Sequence, residues 1–165
     1  FRYFFLRHID SFADSDFTWE KFENTYNGEL ADDLGNLVQR LATMCKKNQI
    51  SGLEPPKTCD KEYQKLMENF EFSKTLDYIW KKVQALNKAI DDQKPWELAK
   101  AGETVRLQEV LTDLIRGILE VALLLSPFLP DTANKITTIF SGAATKDAET
   151  NYITPPVAPL FPKNR

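Results

Sequence analysis

Apolar positions along this chain recur three and four residues apart, the spacing of one helix face, and no run alternates as a half-buried strand would. The clearest pattern runs from Val105 to Ser126, where Leu107, Leu111, Leu114, Ile115, Ile118, Ala122 and Leu125 share one side. Pro127 disfavours helix in the residue before it and predicts the end of that segment. Pro130 can then open the next helix, over Asp131 to Phe140. A second long helix is predicted from Glu71 or Ser73 to about Ile90, with Leu76, Ile79, Trp80, Val83, Leu86 and Ile90 inward. Asp91 to Lys94 reads as a short connection. Pro95 sits where a first helical turn tolerates proline, ahead of Trp96 to Lys100, and Gly102 interrupts.

Upstream, Thr18 is a good N-cap for a helix starting at Trp19 and Glu20. That helix is predicted to continue to about Lys47, with a break near Asn27 and Gly28. Asn48 to Lys57 holds Gly52, Pro55 and Pro56 and reads as a loop, and Asp60 to Asn69 as a short helix. Phe1 to Ile9 is aromatic and apolar and reads as the end of an element. Asp10 to Phe17 is a polar connection, and the tail from Tyr152, with its four prolines, is predicted to run extended. The pattern predicts an all-α fold: a helical bundle of about five helices with an extended proline-rich C-terminal tail.

Composition narrows this picture. A length of 165 residues suits one domain with a sizeable core, and 42% hydrophobic residues make it globular rather than disordered. The chain opens on Phe1, which reads as an excised domain of a longer protein. The longest apolar run, Ile118 to Pro130, carries Glu120, Ser126 and two prolines, so it does not span a membrane. Cys45, Cys59 and the lone His8 cannot assemble a four-ligand metal set, and two isolated thiols suit a reducing, cytoplasmic setting. His8, with no activating partner pattern near it, reads as a packing or turn residue. A formal charge of −3 argues against a generic nucleic-acid binder, but not against one that reads a few unstacked bases. There is no glycine-rich phosphate loop, and the carboxylates are scattered as on solvated helix faces.

The run Leu30 to Arg40, LADDLGNLVQR, departs from plain packing. At about 100° per residue, Leu30, Leu34, Leu37, Leu41 and Met44 cluster within roughly 80°. Asn36 and Arg40, one turn apart, fall at the edge of that stripe. Gly35 costs about 1 kcal/mol against alanine in a helix interior, which calls for a compensating close approach of another helix or a ligand. Spacing alone leaves Asn36 as a capping or solvated residue and Arg40 as a surface charge. It likewise leaves Trp96 as a packing anchor and Asp91 as a turn residue able to accept from an arginine or a base amine. Trp19 and Trp80 lie on apolar faces and are expected in the core.

Several pieces together resemble methionyl-tRNA synthetases, in the right order. They are Arg2-Tyr3-Phe4-Phe5-Leu6-Arg7, Asp16-Phe17 with Trp19-Glu20-Lys21-Phe22, Tyr26-Asn27 with LADDLGNLVQR, Lys94-Pro95-Trp96-Glu97-Leu98-Ala99-Lys100, and Pro159-Leu160-Phe161-Pro162-Lys163. The resemblance implies a single anticodon-binding helical domain over residues 1–165, with 1–9 as the end of a preceding catalytic or stem-contact region. It implies that Asn36, Arg40 and Trp96 recognise a CAU anticodon, Trp96 stacking on an unstacked base and the other two bonding base edges, with Asp91 arranging the pocket. The implied partners are the methionine tRNA and the catalytic domain of the same polypeptide, with no membrane. ATP, and often zinc, belong to the parent enzyme's catalytic domain. HIGH-like and KMSKS-like signatures are absent here, and Phe72-Ser73-Lys74-Thr75 resembles the latter only superficially, so no catalytic residue, metal or cofactor is expected in this chain. Asp32 stands where the family often has asparagine. The competing readings are the equivalent domain of another class I synthetase, and a helical protein-interaction module that binds no RNA.

Overall fold

The computed structural model describes residues 1–8, 16–142, 152–156 and 158–163. Most of the Asp10 to Phe17 connection lies outside them. The described residues form α1 (Arg2–His8), α2 (Trp19–Thr25), a π-helical segment (Tyr26–Gly35), α3 (Asn36–Lys47), α4 (Lys61–Glu68), α5 (Phe72–Gln93), α6 (Pro95–Ala101), α7 (Thr104–Leu125) and α8 (Pro130–Phe140). The all-α bundle predicted from spacing is the fold observed. Short helices α1, α4 and α6 accompany the long rods.

α7 is the centre. Leu111, Leu114, Ile115, Ile118, Ala122 and Leu125 are buried against α5, α8 and α3. Each fully buried aliphatic side chain contributes about 1.5–3 kcal/mol. Leu76, Ile79, Trp80, Val83 and Ile90 of α5 meet them, while Leu86 is only half-buried, lying against Gly117. Tyr63 of α4 reaches across the core and donates its hydroxyl to the Leu124 carbonyl at 2.9 Å.

Local chemistry sets the ends. Thr18 accepts from the Lys21 N–H at 3.2 Å, and Asp60 accepts from the Tyr63 N–H at 2.9 Å, both as N-caps. α7 stops at Leu125, ahead of Pro127, and α8 has Pro130 in its first turn. The expected connection from Asp91 to Lys94 shrinks to one residue: Asp91 stays in the last turn of α5. Lys94 alone makes the corner, in a left-handed conformation with φ 43°. After α3 the chain returns through Gly52, where a Cβ would lie 2.2 Å from the Ser141 backbone. Ser51 pairs with Tyr152 there, so the start of the tail runs extended beside the loop, as expected.

Two expectations need correction. The rod from Trp19 to Lys47 has no break at Asn27 and Gly28; it widens instead, and the Asn36 N–H bonds the Ala31 carbonyl five residues back. Trp19 is not core. It sits at the first position of α2, beyond the helix's buried side, and is 64% exposed among the rings of Phe1, Phe17 and Phe22. Trp80 is buried, against Tyr3.

Candidate nucleic-acid interface

The leucine stripe holds. Leu30, Leu34, Leu37 and Leu41 are buried and Met44 is half-buried, so the rod is fixed to the core along one side. The wider π turn carries the Leu30 carbonyl towards position 35. A Cβ on Gly35 would sit 3.1 Å from that oxygen and 3.6 Å from the Phe161 ring of the tail. Gly35 therefore answers a close approach by its own rod, while the Phe161 ring lies at ordinary contact distance. π turns are uncommon and recur at functional sites.

Asn36 and Arg40 begin α3 immediately after the π segment, and both are exposed. The Arg40 guanidinium Nη2 lies 2.8 Å from Asp91 Oδ1, an ion pair between side chains that are 43% and 63% exposed. It joins α3 to the last turn of α5, just before the Lys94 corner. Pro95 is buried and anchors the start of α6, which leaves Trp96, the next residue, on the surface at 40% exposure. Asp91 and Trp96 thus flank one corner, and the ion pair fastens that corner to the helix bearing Asn36 and Arg40. An exposed pair of this kind is worth about 0–1 kcal/mol; its value lies in geometry.

Asn36 has its own partner. Its Nδ2 is 3.5 Å from Asp32 Oδ1, and Lys163 Nζ is 2.7 Å from the same oxygen and 2.8 Å from Oδ2. The tail residues before Lys163 are held on the π segment: the Tyr26 hydroxyl donates to the Pro162 carbonyl at 3.0 Å, and the Tyr26 and Phe161 rings meet edge-on. In the sequence, Asp32 and Lys163 stand out only through the family resemblance, which assigns neither to the site. Asp32 has a readable signal, standing four residues before Asn36; Lys163 is 131 residues from its partner and has none.

The remaining polar clusters look structural. Arg7 bridges Glu29 of the π segment at 3.0 Å and Asp77 of α5 at 2.5 Å, and Tyr3 donates to Glu29. Burial opposes the Arg7 charge, but its hydrogen bonds to Glu29 and Asp77 win and raise its pKa. His8 lies 2.8 Å from the Thr25 hydroxyl and against the Phe4 ring, and burial lowers its pKa; it packs. Burial pushes the Cys45 thiol up to about 12, so it stays protonated and inert at neutral pH. Among the described residues no group of His, Cys, Asp and Glu is placed to hold a metal ion, and no helix is long and apolar enough to cross a membrane.

Comparison with known proteins places this arrangement in context. Residues 1–42 match the family model for class I tRNA synthetases (M). The chain is 35% identical over 151 residues to a methionine–tRNA ligase of Fusobacterium nucleatum, covering 82% of this chain and 24% of that protein. It is 38% identical over 154 residues to the methionine–tRNA ligase of Clostridium acetobutylicum, again covering 24% of it. Among solved structures, the free methionyl-tRNA synthetase of Mycobacterium tuberculosis superposes with a TM-score of 0.81 at 25% identity, over 99% of this chain and 38% of that one. The same enzyme with methionyl-adenylate gives 0.75 at 26% identity. The chain therefore spans about a quarter of the curated relatives it matches.

Proposed function

The chain belongs to the methionyl-tRNA synthetase family, and we propose that it is the part that reads the CAU anticodon of the methionine tRNA. The observation that carries the reading is the 2.8 Å Arg40–Asp91 contact, which fastens the Trp96 corner to the face bearing Asn36 and Arg40. An exposed indole is a platform for an unstacked base, worth about 1–3 kcal/mol. Amide and guanidinium groups beside it supply hydrogen bonds to Watson–Crick edges. On this reading Trp96 stacks on the first base, Asn36 and Arg40 bond the edges of the first two, and Asp91 aims the guanidinium. The overall charge of −3 then matters little, because recognition is short-range.

The parent enzyme, on this proposal, is a cytoplasmic ligase that joins methionine to its tRNA at the expense of ATP. Its catalytic domain is the second partner of this chain. On this reading ATP and zinc belong to the parent enzyme's catalytic domain, and we assign neither to these residues. The chain by itself should not aminoacylate.

The test is binding to an RNA hairpin with a CAU loop, and to one with the first base changed, at low salt. Preference for CAU in wild type, with CAU affinity dropping about tenfold or more in Trp96→Ala, is the expected result. Equal binding to both hairpins would reject Asn36, Arg40 and Trp96 as base readers.

A further inference from the structure

We propose that Asp32 and Lys163 are positioning residues of the reading face: they turn the Asn36 amide so that its oxygen points outward and selects bases with an amine at the pyrimidine C4 or purine C6 position. The inference rests on the anticodon reading above. Its physical basis is the donor and acceptor inventory of three side chains.

An asparagine amide has a donating end and an accepting end, and a free amide can present either to a ligand. An ionised carboxylate only accepts. Asp32 Oδ1, at 3.5 Å, therefore favours the Nδ2 end of Asn36 facing it and leaves Oδ1 for solvent or a base. An outward oxygen accepts from the amine of cytosine or adenine. At that position uracil presents its O4 and guanine its O6, and neither can donate to it. The first two letters of CAU are both amine-bearing bases.

The contact at 3.5 Å is too long to orient the amide on its own account, and Asp32 is an exposed side chain with several rotamers. Lys163 removes that freedom by spanning both carboxylate oxygens, at 2.7 and 2.8 Å. The lysine is in turn placed by the tail, through the Pro162 carbonyl on the Tyr26 hydroxyl and the Phe161 ring against Gly35. The C-terminal tail thereby reaches the reading face.

Two measurements on the full 165-residue chain test this. The first is the ratio of affinities for CAU and UAU hairpins in Asp32→Ala, Asp32→Asn, Lys163→Ala and Lys163→Arg. Asp32→Ala should cut the ratio by about tenfold, and Lys163→Ala by about threefold. Asp32→Asn, whose amide can present either end and which Lys163 cannot span, should lose part of the discrimination, whereas Lys163→Arg should keep most of it. The second is the pair of Asn36 side-chain amide resonances by NMR without RNA; both alanine variants should move them and collapse their separation. Unmoved resonances, or an unchanged ratio in Asp32→Ala while wild type prefers CAU, would overturn the inference. A merely structural tail latch would lower Tm in all four variants and leave the ratio alone. If wild type itself fails to distinguish the hairpins, the anticodon reading falls first and takes this one with it.

Discussion

α7 and the segment from Tyr26 to Arg40 are both helical and both touch the core, yet they are built differently. α7 keeps a single winding for 22 residues and buries aliphatic side chains on three sides. The other segment changes from π to α winding at Asn36. It buries one leucine edge and turns amide, carboxylate and guanidinium groups outward. Uniform winding maximises packing, and a change of winding re-aims side chains at a set place. On the proposed function, stability and recognition are carried by different rods, joined through contacts at α5.

That separation can be broken by substitution. The largest effect is expected in α7: Ile115→Ala should cost about 2–5 kcal/mol in urea unfolding, while the folded fraction keeps its hairpin selectivity. A variant that lost selectivity at unchanged stability would erase the distinction. Next comes Trp96→Ala, which should weaken CAU binding by about 1–3 kcal/mol and move stability by no more than about 0.5 kcal/mol. A comparable fall in stability would make Trp96 a packing anchor. Smaller is Gly28→Ala. Nothing lies within 4 Å of the added Cβ and the φ there is negative, so stability should rise by about 0.5–1 kcal/mol; a loss would mean that the π winding depends on that glycine.

The smallest effect concerns pH. Burial raises the Asp60 pKa, but the Tyr63 N–H, the Tyr78 hydroxyl and Lys82 outweigh it and leave the folded value below normal. Its stabilisation is present above the unfolded value of about 3.9 and is lost as pH falls through the lower folded value. The drop in Tm between pH 6 and pH 2.5 should therefore be shallower in Asp60→Asn, which still caps α4. Hairpin selectivity measured at pH 7 should not change, since Asp60 belongs to the α4 cap and not to the reading face.

Sequence periodicity suffices where winding is regular and one face is apolar. Leu107 to Leu125, Leu76 to Ile90 and the proline boundaries at Pro127 and Pro130 were all readable for that reason. Trp19 was misjudged because a residue in a first helical turn need not follow the face of the turns behind it. The π segment hid in a sequence whose leucines fit α spacing well; only the costly Gly35 hinted that another group comes near. Of the proposed reading face, the sequence singles out Asn36, Arg40, Asp91 and Trp96, and the structure joins Arg40 to Asp91 directly. Lys163 was beyond reach, because an ion pair across 131 residues leaves no local pattern.

The two ion pairs on the reading face affect how its salt dependence should be interpreted. Counting phosphate contacts from the slope of affinity against ionic strength assumes that salt acts only by competing at the nucleic acid. Here Arg40–Asp91 and Asp32–Lys163 are themselves exposed and screened. Added salt loosens the protein's own side chains before RNA arrives, so part of the slope belongs to the free protein. A titration taken at face value would count more phosphates than the face touches. The slope found with Asp91→Asn, which lacks the first of these pairs, should itself be the smaller one.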